Sequence, residues 1–237
     1  MKQFIYILTG ILLAFGSSSC IFTPSINGNG NVVEQERHLS DFDEIKVSRG
    51  MNVYITQGNE TKVLVKADEN LLEVIETEVV GDVLEVKATS NIRRSKEKKV
   101  FVTLPKVESI KASAGSNVYS ENEISSKSIE ISASAGSNIR LRIKTQEANV
   151  SASAGSNINL EGQTENFYGK ASAGSNIKAG ELKTSNTEAK VSAGANIWIS
   201  TKNKLQASAN SGGNVFYSGD PTDTDINKSS GGNVIKN

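Results

Sequence analysis

One hexapeptide recurs seven times between residues 113 and 237, and this repeat constrains the fold more than any other feature of the chain. Its first four copies read Ser-Ala-Gly-Ser-Asn followed by Val or Ile, and later copies keep the glycine, the asparagine and the final aliphatic residue. A fixed period of about 20 residues is typical of a solenoid, in which each unit buries its apolar face only against its neighbours. The motif glycines, separated by 21, 19, 19, 20, 18 and 19 residues, are Gly115, Gly136, Gly155, Gly174, Gly194, Gly212 and Gly231.

Around each glycine, apolar and polar residues alternate with the period of a β-strand. Apolar and mostly small residues, above all alanine, stand one, three and five positions before most of the glycines, with serine or lysine between them. We therefore predict a strand whose alanine face points inward, followed by a corner where glycine permits a positive φ. Two positions after each glycine comes an asparagine, which either hydrogen-bonds to the next coil or only tolerates the corner conformation. These asparagines are Asn117, Asn138, Asn157, Asn176, Asn196, Asn214 and Asn233.

These patterns predict an all-β fold, a parallel β-helix that we expect to be right-handed, with coils of about 19–20 residues. We place a single solenoid domain at 32–237, with divergent N-terminal coils over 32–110 and regular Gly-Ser-Asn-Ile repeats over 111–237. In the divergent part, Gly50 and Asn52 already stand in register with the hexapeptide. Its longer apolar strands are expected to cap one end, because a terminal repeat must hide its outer face. One or two helical turns are predicted over 68–76.

The first 31 residues are predicted to be an export signal and a tether. Lys2 precedes a short apolar run over 4–15, which is too short to span a bilayer of about 30 Å. Small residues then lead to Cys20, the only cysteine, as in the lipobox of bacterial lipoproteins. We predict a lipoprotein signal peptide over 1–19, lipidation of Cys20 and a flexible tether over 20–31, which would attach the protein to the outer membrane on its periplasmic face or at the cell surface. The alternative is an ordinary signal peptide with an incidental cysteine.

Few residues suited to catalysis or metal binding are present. His38 is the only histidine, which excludes metal clusters built on several histidines and cysteines. The outward repeat positions carry serine, asparagine and lysine instead of the paired carboxylates of a glycosidase. We therefore predict no enzyme activity and no cofactor. Asp220, Asp223 and Asp225 are weak candidates for calcium ligands, and the alternative is a solvated turn.

Candidate contact residues are aromatic. Trp198 lies between Ile197 and Ile199, which we expect to point inward, so its ring should point outward. With Tyr119, Tyr217 and Phe216 it could form a patch that stacks on a sugar or contacts a protein; the alternative is that these rings only cover a coil edge. The formal net charge of zero argues against a nucleic-acid partner.

Several segments of the chain resemble the head GIN domain family, a group of proposed auto-transporter adhesins from Bacteroidetes-type bacteria. They are Phe42-x-x-Ile45-x-Val47, the run Val-Tyr-Ile-Thr-Gln-Gly at 53–58, the run Ala-Asp-Glu-Asn-Leu-Leu at 67–72 and the repeated Gly-Ser-Asn-Ile corners. The resemblance extends over about residues 32–217. It implies a parallel β-helix on the cell envelope with an adhesive role, and it brings no catalytic residues. The leading prediction is a non-enzymatic envelope lipoprotein that binds a glycan or a protein; the alternatives are an envelope scaffold and, third, a polysaccharide-active β-helix enzyme.

Overall fold

The computed structural model describes residues 25–237, and most of them lie in strands. The predicted signal peptide and lipidated Cys20 lie outside the described residues and stay predictions. A single 3₁₀ turn, Glu69–Leu71, replaces the one or two helical turns predicted over 68–76. The strands are β1 (Ser25–Asn27), β2 (Val32–Arg37), β3 (Glu44–Val47), β4 (Asn52–Gln57), β5 (Lys62–Asp68), β6 (Ile75–Val80), β7 (Val83–Ala88), β8 (Asn91–Arg94), β9 (Lys98–Leu104), β10 (Ser109–Ala112), β11 (Asn117–Ala133), β12 (Asn138–Ala152), β13 (Asn157–Ala171), β14 (Asn176–Val191), β15 (Asn196–Ala209), β16 (Asn214–Ser218), β17 (Asp223–Lys228) and β18 (Asn233–Lys236).

The regular repeats form a parallel β-solenoid, as predicted, and the whole stack has about seven turns. Strands β11 to β15 pair in parallel with their neighbours, and β16, β17 and β18 continue the stack. The motif asparagines pair with one another from coil to coil, so the hexapeptide sets the register.

Each regular coil has two outer faces joined by a corner that stays in strand conformation. In β12 the buried positions are Ile139, Leu141, Ile143 and Thr145, and then Ala148, Val150 and Ala152. Buried residues have odd numbers up to Thr145 and even numbers from Ala148 onward. The alternation between inward and outward side chains therefore shifts by one residue at Gln146 and Glu147, where the chain turns. We call the outer surface before this corner face A and the outer surface after it face B.

The second corner of each coil is the repeated Ala-Gly pair, and here the prediction about alanine was wrong. The alanine before the glycine is exposed and has a positive φ, as Ala154 does at 49°, followed by Gly155 at 70°. The Ser156 backbone N–H donates to the Ser153 carbonyl at 3.2 Å, which closes a two-residue turn. Positive φ at both central residues is the geometry of a type I′ turn, so alanine and glycine together make the corner.

The serine after the glycine, instead of the alanine before it, occupies the buried position. Ser156 is fully buried, and its Oγ donates to the carbonyl of Ala133 in the preceding coil at 2.8 Å. The same oxygen accepts from the Ser153 backbone N–H at 3.1 Å. The hydroxyl thus ties its own turn to the neighbouring coil. Later coils have Ala195, Gly213 and Gly232 at this position.

The asparagines form a continuous ladder along the rod. In each step the side-chain Nδ2 donates to Oδ1 of the asparagine in the preceding coil, at 2.8–3.0 Å. The ladder begins at Asn52, whose own Nδ2 donates to the Lys98 carbonyl at 3.2 Å, and ends at Asn233. Of the two interpretations of these asparagines, coil-to-coil hydrogen bonding is therefore the correct one.

The N-terminal part caps the rod, but it is not a simple series of coils. Strands β3 and β4 form one coil, which pairs on one side with β10 and β11 and on the other with β7 and β9. Outside that layer the pairing becomes antiparallel: β6 lies on β7, β5 on β9 and β2 on β5. The coil formed by β3 and β4 therefore lies between two segments that come later in the sequence.

The end of the predicted tether is attached to this cap. Strand β1 pairs in parallel with β8, and the carboxylate of buried Asp68 accepts from the backbone N–H groups of Gly30, Lys96 and Glu97 at 2.9–3.0 Å. Burial alone would raise the pKa of Asp68, but these backbone donors and the charge of Lys96 outweigh it and hold the pKa below its ordinary value. Only glycine fits at position 28, because a Cβ there would lie 2.0 Å from Asp68 Oδ2.

Candidate functional site

A column of outward side chains runs along face A, one position beyond the first buried aliphatic residue of each coil. We call this column the ridge. Aromatic residues occupy both of its ends, and polar or charged residues occupy its middle. In spatial order the ridge consists of Phe101, Tyr54, Tyr119, Arg140, Asn159, Lys178, Trp198 and Phe216. Ile235 of the edge strand β18 pairs with Phe216 and lies beyond the ridge.

Trp198 and Phe216 form the aromatic pair at the C-terminal end of the ridge. Their ring centroids lie 5.1 Å apart and their planes differ by 10°. Trp198 stands between Ile197 and Ile199, which are 0% and 1% exposed, while its own side chain is half-buried on the outer surface. The pair therefore presents a flat, partly accessible aromatic surface beside Lys178.

The two tyrosines among the predicted contact residues, Tyr119 and Tyr217, lie apart from Trp198. Tyr119 belongs to the aromatic stack at the N-terminal end of the ridge, where its ring lies 5.2 Å from that of Tyr54. Four coil steps of about 4.8 Å separate Tyr119 from Trp198, or roughly 19 Å. Tyr217 pairs with Ile199 in the inward column and packs against the core. The structure thus brings Trp198 together with Phe216 and leaves the two tyrosines outside that pair.

Sequence reasoning missed Tyr54 and Phe101, which extend the ridge. The Tyr54 and Phe101 centroids lie 5.2 Å apart. A signal for Tyr54 was present, because it follows Asn52 and Val53 as Tyr119 follows Asn117 and Val118. No comparable motif marks Phe101.

The three aspartates considered as calcium ligands do not come together. Among residues 25–237, no group of three or more His, Cys, Asp or Glu side chains is placed to hold a metal ion. A hydrogen bond from Lys236 lowers the pKa of Asp220. Each aspartate has its own neighbour: Asp220 pairs with Lys236 at 2.6 Å, Asp223 with Lys204 at 3.6 Å, and Asp225 accepts from Asn227 at 3.3 Å.

Two open grooves run along the rod. The first, of about 900 Å³, lies on face B, and its four glutamates are all in ion pairs with lysines. The second, of about 1350 Å³, follows the corner between faces A and B, and we call it the corner groove. His38, the only histidine, is exposed just after β2 and lines neither groove.

The model of one protein family, described as "Putative auto-transporter adhesin, head GIN domain", matches residues 41–221. The chain belongs to this family. The match confirms the resemblance drawn from the repeated corners and the N-terminal motifs. A search of the curated proteins found no significant match.

Solved structures share the fold of this head GIN domain protein. A "putative adhesin" from Bacteroides fragilis NCTC 9343 superposes with a TM-score of 0.84 at 21% identity, covering 90% of this chain and 100% of that one. A "putative adhesin" from Parabacteroides distasonis ATCC 8503 gives 0.74 at 18% identity, with 90% and 100% covered. A "putative lipid binding protein" from the same organism gives 0.61 at 18% identity, with 90% and 99% covered. Within residues 25–237, no helix has the length and apolar character needed to cross a membrane.

Proposed function

We propose that the protein is a non-enzymatic adhesin of the cell envelope, which contacts a glycan or a protein partner through the ridge on face A. The description of the family as auto-transporter adhesins supports a cell-envelope binding role, and two solved structures with the same fold also carry the name "putative adhesin". The observation that carries the proposal is the stacked Trp198–Phe216 pair. These rings lie on the outer surface of the solenoid, where they do not contribute to the hydrophobic core and remain accessible to a ligand.

The chemistry of the ridge suits a ligand with both apolar and polar surfaces. The aromatic pair offers a flat face on which a sugar ring or an aliphatic side chain can stack. Lys178 lies in the next coil and Arg140 and Asn159 follow it, so hydrogen-bond donors stand beside the rings at intervals of about 4.8 Å. Aromatic and arginine side chains are also the residues that dominate binding energy at protein interfaces.

Substitution of Trp198 tests this proposal. We expect Trp198→Ala to weaken binding in a glycan array and a whole-cell adhesion assay by about tenfold or more. In many interfaces one anchoring aromatic residue contributes about 2 kcal/mol or more to the binding free energy, which corresponds to a loss of affinity of this size. Tyr168→Ala is the matched control, since Tyr168 is an aromatic residue of face B that is 41% exposed. Equal binding by the Trp198→Ala and Tyr168→Ala proteins, both folded by circular dichroism, would contradict a contact role for the ridge.

The proposed location depends on the lipid anchor at Cys20. We expect Cys20→Ala to move the protein from the membrane fraction to the soluble fraction of the cell, because each buried methylene of the acyl chains contributes about 0.8 kcal/mol to membrane attachment. Protease treatment of intact cells distinguishes the periplasmic from the surface location. An unchanged membrane fraction after Cys20→Ala would exclude the lipid as the anchor.

An envelope scaffold is the second candidate function. It is favoured by the asymmetry of the rod, because antiparallel strands cover the N-terminal end whereas β18 forms an edge strand with Ile235 42% exposed. Such an edge can pair with a strand of another protein. Co-purification of one stoichiometric partner that is lost with Ile235→Lys, and retained with Trp198→Ala, would favour scaffolding over adhesion through the ridge.

A further inference from the structure

The corner groove has a composition that the ridge does not explain. Six successive coils contribute to it, through residues 125–127, 144–146, 163–165, 183–185 and 200–203 and then Gly219, Asp220 and Thr222. Its floor is a row of threonines, each in register with the next: Thr145, Thr164, Thr184 and Thr201. The threonine hydroxyls are already hydrogen-bonded, for example Thr145 to Thr164 at 2.9 Å. The polar groups of the groove that remain free therefore stand on its walls.

The walls carry an excess of positive charge. Lys127, Lys144, Lys183 and Lys202 are exposed, and none of them takes part in an ion pair within residues 25–237. Glu165 and Asp220 are the acidic residues of the lining, and Asp220 is already paired with Lys236.

The groove on face B shows that this excess is not a general property of the rod. That groove is lined by four lysines and four glutamates, and all four of its glutamates are paired with lysines. In the corner groove, by contrast, four lysines stand against only two acidic residues, and no lysine of the four is in an ion pair within the described chain. Charges left open toward a concave surface raise the local concentration of an oppositely charged ligand.

The spacing of these lysines favours a polymer over a small anion. Lys144 and Lys183 pair with the same residue, Gln163, from opposite sides, so they lie two coils or about 10 Å apart. Lys127 and Lys202 stand near the two ends, four coils or about 19 Å apart. A small anion would meet one exposed lysine, and single exposed pairs are weak. An extended chain with repeated negative charges meets all four.

We propose that the corner groove binds an extended anionic polysaccharide, with the four lysines facing its carboxylate or sulfate groups. Serine, glutamine and asparagine side chains between the lysines match the hydroxyl groups of such a chain. Single-stranded nucleic acid fits less well, because no aromatic residue lines the described groove and base stacking supplies much of its binding. The groove lies apart from the Trp198–Phe216 pair, so this proposal stands independently of the ridge.

Charge reversal tests the groove directly. We measure binding of the purified full chain to immobilised polygalacturonate, dextran sulfate and neutral dextran by biolayer interferometry, at 50 and 300 mM salt. We expect binding to at least one anionic polymer, weaker binding at high salt, and none to neutral dextran. Lys144→Glu with Lys183→Glu should reduce the affinity about tenfold or more. Polygalacturonate and dextran sulfate distinguish carboxylate from sulfate as the recognised group.

A second double variant controls for net charge. Lys170→Glu with Lys228→Glu changes two exposed lysines that lie outside the corner groove and outside the ion pairs of the described chain. Its affinity should stay within about twofold of the unchanged protein. The proposal is overturned if both double variants lose affinity equally, if neither does, if no anionic polymer binds, or if poly-dT or polyglutamate binds as tightly as the polysaccharide. Thermal melting establishes that each variant is folded, and Trp198→Ala, which should leave this binding unchanged, separates the outcome from that of the ridge.

Discussion

The asparagine ladder predicts a stability difference between its interior and its end. Asn157 lies in the interior, where its Nδ2 donates to Asn138 and its Oδ1 accepts from Asn176, both at 3.0 Å. Replacing it with alanine removes two side-chain hydrogen bonds, each with a net contribution of about 0.5–1.5 kcal/mol. We therefore expect Asn157→Ala to lower the free energy of unfolding by about 1–3 kcal/mol.

Asn233 provides the matched control, because it forms only one ladder bond, to Asn214 at 2.9 Å, and is exposed at the end of the rod. Asn233→Ala should cost about 0.5–1 kcal/mol. Urea unfolding followed by circular dichroism measures both losses, and thermal unfolding should show about 2–4 °C per kcal/mol for a chain of this size. Equal losses for the two variants would refute the idea that the ladder stabilises the stack.

A double variant sharpens the test. Asn157→Ala and Asn176→Ala each remove two bonds, but together they remove three, because the bond between these two residues is shared. The double loss should therefore fall short of the summed single losses by about one hydrogen bond, or roughly 1 kcal/mol. Strict additivity would mean that the two side chains contribute independently of each other, which contradicts the ladder.

Two further predictions concern the backbone and the cap. Gly162→Ala should lower the free energy of unfolding by about 3 kcal/mol or more, because φ is +112° and the new Cβ would also lie 2.1 Å from the Ile143 carbonyl oxygen. Gly155→Ala has φ +70° and open space around the new Cβ, so it should lower the free energy of unfolding by only about 1–2 kcal/mol in the same urea titration. Asp68→Asn should cost about 1–3 kcal/mol at neutral pH, because its carboxylate accepts three backbone N–H groups. Since the folded pKa of Asp68 is lowered, its stabilisation is present above the ordinary value of 3.8 and is lost as the pH falls through the folded value. Stability measured from pH 7 to pH 2 should therefore fall less steeply in Asp68→Asn, and parallel curves would contradict this role.

The regular part of the fold was predictable because every coil has the same local sequence pattern of apolar residues, glycine and asparagine. The return of Gly-x-Asn at a nearly constant interval fixes the coil length, and the asparagines pair in the resulting register. The same logic correctly placed Gly50 and Asn52 in register with the later copies, and Asn52 begins the ladder.

The corner itself was not predictable from hydropathy. Alternation assigns Ala154 to the interior, whereas the structure exposes Ala154 and buries Ser156. The reason is that Ala154 and Gly155 leave the strand conformation to make the turn, so the buried positions continue from Ala152 to Ser156. A serine can be buried there because its hydroxyl binds backbone groups. Neither effect appears in an average over apolar and polar residues.

The cap and the candidate sites depend on contacts that are distant in sequence. No local pattern indicates that β3 lies between β7 and β10, or that β5 pairs with β9 in antiparallel orientation. The lysines of the corner groove are likewise spread from residue 127 to residue 202, and only the stacking of coils brings them to one surface. Tyr217 could have been placed correctly, since it follows outward Phe216 and so shares the inward parity of Ile199.

The position of the early coil between later segments has a consequence for the way the protein is made. A chain synthesised from its N-terminus completes the cap, with its distant pairings, by residue 112, before any regular coil exists. Those pairings are the slow step expected of contacts with high sequence separation. Each later coil then pairs with the folded coil before it and adds about 20 residues to the stack. The solenoid therefore has one unpaired edge at its growing end. Assembly in this order limits the unpaired strands that the strands of another copy can meet while the chain folds.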